Sequence, residues 1–350
     1  MKMRVGILTG GGDCPGLNPV IRAIVRKGVM EYGDEMIGVY EGWRGLIENK
    51  CGKLDLASVS GILHRGGTIL KTSRTNPFKK EGDEGPAKKI MATMAAQKMD
   101  ALIAIGGEDT LGAANKLHQR GMKVVGVPKT IDNDLFGTEV TFGFDTAINI
   151  VMEAIDRLHT TAESHNRVMV VEVMGRHAGW IALEGGLAGG ADLILIPEKE
   201  HALDDICRTI KKRHARGKDF SIVVVSEGAN ITIDGKPMAA YLDSKPDEFG
   251  HLRLGGIGAA LADLIEKRTK FETRSTVLGH IQRGGSPTAF DRVLGTRFGV
   301  RAIDLVHEGN YGLMVALQAN KIVAIPLSEA VAKLKTVDDD WYKVAETFFG

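Results

Sequence analysis

Very little in this chain of 350 residues is in excess. Only three cysteines occur, Cys14, Cys51 and Cys207, and none belongs to a CxxC pair. They suit a reduced cytoplasmic protein better than a disulfide scaffold. Lys and Arg number 45 against 44 Asp and Glu, a formal net charge of +1. So even a balance marks no general nucleic-acid or membrane surface, and any anion binding must come from local clusters. No apolar run reaches 18 residues and no signal peptide opens the chain, so no membrane span is expected. Low-complexity tracts and short repeats are missing. So are two common nucleotide signatures. There is no GxxxxGK[ST], and the first glycine cluster is not GxGxxG, because Pro15-Gly16 sets its last glycine one place late. A Walker-type ATPase and a dinucleotide dehydrogenase are therefore not first choices.

What is abundant is glycine, 44 residues concentrated at the ends of apolar runs. The length suggests two domains. Strand-like and helix-like segments alternate throughout, which argues for parallel sheets covered by helices on both faces. Strands are expected at 5–9, 36–40, 101–105, 124–127, 168–173, 193–196, 222–225 and 275–278. Helices are expected through Val20 to Val25, after Pro86, from about Leu111, and over 145–159, 210–216 and 288–306.

The most informative loop is Gly106-Gly107-Glu108-Asp109-Thr110, where an apolar strand opens onto a helix. Free N–H groups and the helix dipole at such a junction favour phosphate, and glycines let backbone approach an anion. Two adjacent carboxylates there make sense if one holds Mg²⁺ and the other excludes something. Taken alone, the pentapeptide also reads as a solvated acidic turn. Pro128-Lys129-Thr130-Ile131-Asp132-Asn133-Asp134 closes the next strand. One carboxylate could take a proton from an attacking hydroxyl and Lys129 could neutralise a moving phosphoryl group; an Asx-rich turn is the plainer reading. Arg167, Arg176, Arg274, His280 and Arg283 recur in short loops at strand ends, and guanidinium forks match phosphate oxygens. Glu227, just past a strand, could meet sugar hydroxyls.

Gly-Gly-Gly-Asp-Cys-Pro-Gly-Leu-Asn at 10–18, Gly-Gly-Glu-Asp-Thr, Pro-Lys-Thr-Ile-Asp-Asn-Asp, Val-Glu-Val-Met-Gly-Arg at 171–176 and Leu-Gly-His-Ile-Gln-Arg-Gly-Gly at 278–285 together resemble the 6-phosphofructokinases. The resemblance runs in order from near residue 4 to about 310. It implies two doubly wound, Rossmann-like α/β domains with the active site in the cleft between them. One domain, 1–142 with 257–307, would hold the phosphoryl donor and Mg²⁺, and the other, 143–256 with 308–350, the sugar phosphate. Gly12 and Arg74 would touch the donor, and Glu108 would be the metal ligand. Asp132 would be the base toward the sugar 1-hydroxyl, with Thr130 and Ile131 beside it and Asp134 supporting the loop. Met174, Gly175 and Arg176 would line the sugar and the transferring group, and Glu227 would bind the sugar. Arg167, Arg274, His280 and Arg283 would hold the 6-phosphate, and Ile281 and Gln282 beside them would also bind the substrate. Arg167 and Arg274 would come from a neighbouring subunit, so a homodimer or homotetramer with shared sites is implied. Arg22 and Arg26 stand where relatives bind an effector.

Three positions depart from the ATP-dependent pattern Gly-Gly-Asp-Gly and Pro-Gly-Thr-Ile-Asp. Glu108 replaces the metal aspartate, Asp109 replaces a glycine, and Lys129 replaces the other glycine. The last two changes resemble the pyrophosphate-dependent branch, with Asp109 repelling an ATP α-phosphate and Lys129 supplying charge to a compact donor. The expected activity is the reversible pyrophosphate-dependent phosphorylation of fructose 6-phosphate. An ATP-dependent or mixed-donor enzyme is the first rival, and a non-catalytic subunit that senses sugar phosphate is the second.

Overall fold

A computed structural model describes residues 2–80, 82–238 and 255–350. In chain order its strands begin with β1 (Arg4–Thr9), β2 (Glu35–Val39) and β3 (Cys51–Leu54). Next come β4 (Ala101–Gly106), β5 (Val124–Pro128), β6 (Val168–Val173) and β7 (Leu193–Leu195). β8 (Glu200–Ala202), β9 (Ser221–Ser226), β10 (Asn230–Ile233) and β11 (Lys236–Pro237) follow, then β12 (Thr273–Val277), β13 (Leu313–Gln318) and β14 (Lys321–Pro326). Seven strands form one sheet in the order β14-β13-β5-β4-β1-β2-β3, and four form a second, β12-β6-β9-β7. A small third sheet joins β11, β10 and β8.

The central strands are parallel, as continuous apolar runs predict. Every residue of β4 is buried, and β1 pairs with it from Val5↔Ala101 to Thr9↔Ile105. Successive side chains serve opposite faces. Ile103 and Ile105 join one core cluster with the Leu17–Lys27 and Ala289–His307 helices, while Leu102 and Ala104 join another with the Glu108–His118 helix. The first of these clusters continues through Phe142 and Phe144 to Met169 and Val171 of β6, so the two sheets share a core. The expected doubly wound α/β architecture is what the chain adopts.

The division of the chain differs from expectation at its C-terminal end. The Ala289–His307 helix packs on the first sheet's Leu17–Lys27 helix. β12, however, is parallel to β6 from Thr273↔Val168 to Val277↔Glu172, so residues 273–277 complete the second sheet. Residues 313–326 go the other way, as β13 lies parallel to β5 and extends the first sheet. Only the last segment returns to the second body, where Tyr342 donates to the Ile194 carbonyl at 2.7 Å. β13 and β14 form a hairpin around Ala319 and Asn320, both at positive φ (46° and 62°). That is the backbone of a tight hairpin turn, here without the glycine that usually announces one.

Candidate active site

The ends of β1, β4 and β5 meet at one edge of the first sheet. Their close approach depends on missing side chains. A Cβ on Gly106 would lie 2.3 Å from the Thr110 Cβ, and one on Gly10 would lie 2.6 Å from Thr110 Oγ1. Thr110 is thus wedged between two strand ends. The helix after β4 starts at Glu108, not near Leu111 as expected, so Glu108 and Asp109 occupy its first turn. Negative charge there is favoured by the free N–H groups and dipole of the helix start.

Lys129 follows β5 and is almost fully buried, 3% exposed. Its ammonium donates to the Gly12 carbonyl of the glycine loop. Burial holds its pKa below the ordinary lysine value, Arg283 adds to that depression, and Asp132 and Asp13 oppose it. Arg283 reaches the same loop, with Nη1 3.3 Å from the Asp13 carbonyl. A Cβ on Gly12 would fall 2.6 Å from that Nη1.

The loop after Lys129 is held from within. Asp132 N–H donates to Thr130 Oγ1 (3.1 Å), Thr141 Oγ1 to the Thr130 carbonyl (2.7 Å), and Thr141 N–H to Asn133 Oδ1 (3.1 Å). Asn133 takes a left-handed φ of 52°, which asparagine tolerates. Asp132 Oδ1 is buried and has no hydrogen-bond partner. Burial, then the Asp132 and Glu108 carboxylates, push Asp134 up to about 7.

The second sheet closes the cleft from across. Gly175 sits at φ +128°, and a Cβ there would meet the Ala178 carbonyl and Ser226 Oγ at 2.7 Å. Glu227 N–H donates to the Val173 carbonyl at 2.8 Å, and its carboxyl is pushed up to about 7 by burial and by Asp132, with Arg176 opposing. A cleft of about 880 Å³, open to solvent, is lined by Gly12, Arg74, Glu108, Asp109, Lys129, Thr130, Asp132, Met174, Arg176, Glu227 and Arg283. Most of the expected site therefore converges. Gly11, Gly107, Thr110, Asp134 and His177 line it too. His177 was legible only as the neighbour of Arg176.

The expected 6-phosphate pocket is divided. Arg283 lies in the cleft, but Arg167, Arg274, His280, Ile281 and Gln282 do not line it. Arg167 and Arg274 converge on Glu272, each 2.7 Å away, and Arg274 also approaches Glu266 at 3.3 Å. Gln282 is buried and accepts from Met174 N–H at 3.2 Å, so it supports a cleft-lining residue from behind. Ile131 is a core residue, fully buried, while Ile281 is 66% exposed.

Among the described residues no group of three or more His, Cys, Asp and Glu has the arrangement of a metal cage. Mg²⁺ does not need one, because it is commonly held by one or two carboxylates together with substrate phosphates. The donor set here is oxygen, and the carboxylate repulsion that adds to burial in raising Asp134 is what a hard cation relieves. The residues fit that ion.

A family model described as phosphofructokinase matches residues 4–306. The pyrophosphate–fructose 6-phosphate 1-phosphotransferase of Amycolatopsis mediterranei is 58% identical over 349 residues, 99% of this chain and all of that protein. An ATP-dependent 6-phosphofructokinase of Streptomyces coelicolor is 52% identical over 99% of this chain and all of its own length. Phosphofructokinase from Saccharomyces cerevisiae superposes with a TM-score of 0.82 at 30% identity, over 99% of this chain and 47% of that one.

Proposed function

Because the chain belongs to the phosphofructokinase family, we propose that it transfers a phosphoryl group from pyrophosphate to the 1-hydroxyl of fructose 6-phosphate, reversibly. The observation that carries the donor is the pairing of Asp109 with buried Lys129 in one cleft. A carboxylate within roughly 4 Å of an ATP α-phosphate meets repulsion of about 4 kcal/mol at intermediate effective dielectric. Pyrophosphate ends short of that contact, and Lys129 at the glycine loop attracts the compact donor.

Asp132 is the general base. Its unpartnered Oδ1 takes the proton from the sugar 1-hydroxyl, and the oxygen attacks the near phosphorus of pyrophosphate. The bridging P–O bond breaks and orthophosphate leaves. Lys129 and Arg176 offset charge on the moving group. Glu108 is the residue that would hold Mg²⁺, and the ion, when bound, would supply charge neutralisation. Gly12 and Arg74 bind the donor. Thr130, Met174, Gly175 and Glu227 position the sugar, and Arg283 meets its phosphate. The exposed Arg274 and the carboxylate-paired Arg167 serve a partner's site, which makes the working enzyme a homo-oligomer in the cytoplasm.

Initial rates with pyrophosphate and with ATP, measured side by side on purified protein, test the donor. Pyrophosphate should be strongly preferred, and Asp109→Gly should raise ATP use. Equal rates with both donors in the unmutated protein would overturn the assignment in favour of the ATP-dependent reading, which the Streptomyces relative keeps in view.

A further inference from the structure

The loop that carries Asp132 is tied from behind by the chain's C-terminal segment. Lys335 lies after the β14 hairpin, far from every motif at the cleft. Its ammonium donates to Asn133 Oδ1 (2.9 Å), the Thr138 carbonyl (3.0 Å) and the Glu139 carbonyl (2.7 Å). Three donors meet three acceptors, all on the one loop that begins at Thr130. The Lys335 N–H also donates to the Asp134 carbonyl at 2.8 Å, and Leu334 bridges to Leu135. Behind it, Trp180 Nε1 donates to the Lys335 carbonyl at 3.0 Å, and the Trp180 ring lies 5.4 Å from the ammonium.

Burying an ammonium is costly unless every donor is satisfied, and an apolar residue would dock a segment more cheaply. What the cation adds is direction, since its bonds fix one placement of the turn. Asn133 is the pivot. Its Oδ1 receives both Lys335 and Thr141 N–H, and it follows Asp132 directly in the chain. We propose that Lys335 is a positioning residue that holds the 130–141 loop, and through Asn133 the Asp132 carboxylate, in the arrangement needed for proton removal. Burial lowers the Lys335 pKa to about 8, with Asp134, Glu184 and Glu139 opposing; the ammonium stays charged near neutral pH.

The role in turnover rests on the phosphotransferase reading above, whereas the ordering of the loop does not, so the test has two arms. In Lys335→Met, the turnover number with the better donor should fall by roughly 10- to 100-fold, the scale of a small misplacement of reacting groups. The Michaelis constant for fructose 6-phosphate should change less than about threefold, since Lys335 touches no substrate. Lys335→Arg should recover much of the rate. Trp180→Phe, which removes the hydrogen bond to the Lys335 carbonyl but keeps an aromatic ring beside the ammonium and leaves its three oxygen acceptors in place, should leave turnover nearly unchanged. Amide exchange of the 130–141 peptide should quicken by about tenfold in Lys335→Met and not in Trp180→Phe. Near-normal turnover in a folded Lys335→Met, or equal losses in the Trp180 variant, would overturn the proposal. So would unchanged exchange at 130–141, even if the wild type proved inactive on both donors and the functional reading had failed for its own reasons.

Discussion

At the scale of single residues the cleft is defined by carboxylates whose surroundings differ. Asp132 has a buried oxygen without a partner, so removing its charge should leave shape intact and remove only proton acceptance. Asp132→Asn is expected to lower turnover by roughly 10²–10⁴-fold, with a much smaller change in the sugar's Michaelis constant. Steady-state kinetics check both numbers together, and near-normal turnover would remove Asp132 from that role. Glu227 carries a different signature. Its folded-state pKa of about 7 stands above an ordinary value of 4.5, chiefly through burial. A raised acid binds its proton more tightly when folded, so its contribution to stability is fully present below about 4.5 and lost as pH rises through about 7. The melting temperature of the wild type relative to Glu227→Gln should therefore decline from pH 4.5 to pH 8. A difference that is flat or rises with pH would contradict this environment for Glu227.

At the scale of elements, legibility followed burial. Strands covered on both faces, such as β4 and β6, showed as unbroken apolar runs and were located to within a residue. The helix after β4 was expected to start too late, because Glu108 and Asp109 read as loop acids. Only the structure shows them as the first turn, satisfied by the helix start. β14 went unread because it is only partly buried, and β13, although mostly buried, because its turn, Ala319-Asn320, has no glycine to mark the strand's end. The same scale governs why β1 and β4 end so close together. Gly106 leaves room for Thr110, and Gly106→Ala would place a methyl group against its Cβ and Cγ2 at 2.3 and 2.5 Å. Overpacking of this kind typically costs about 1–3 kcal/mol. Urea melts should show that loss in Gly106→Ala and, measured against Thr110→Gly alone, a much smaller loss in the double variant Gly106→Ala with Thr110→Gly, which removes the Cβ as well as Cγ2 and Oγ1. If the second change restores nothing, the helix start is not held by that wedge.

At the scale of the whole molecule, one chain brings together in its cleft the residues proposed for the donor and the reacting centre but leaves part of the expected phosphate pocket outside. Nothing in the sequence separates arginines that face their own cleft from those that lie outside it. Arg283 and Arg274 read alike as cations in strand-end loops, and only the packing tells that one lies on the glycine loop and the other on an outer strand beside Glu272 and Glu266. Exposed Val277, Ile281, Phe290 and Val293 lie close along the chain to Arg274, a composition suited to a covered face. If that face joins two copies and Arg274 completes the partner's site, two inactive variants should repair each other. Asp132→Asn lacks the base but keeps its arginine for the neighbour, whereas Arg274→Ala keeps the base and lacks the arginine. After the two are mixed, dissociated and reassociated, each hybrid pair contains one site with both groups intact. Random pairing through a two-fold interface should then restore about a quarter of wild-type turnover, well above the sum of the separate variants. Activity that stays at that sum, in a mixture shown to exchange subunits, would place Arg274 in the site of its own chain or outside the reaction altogether.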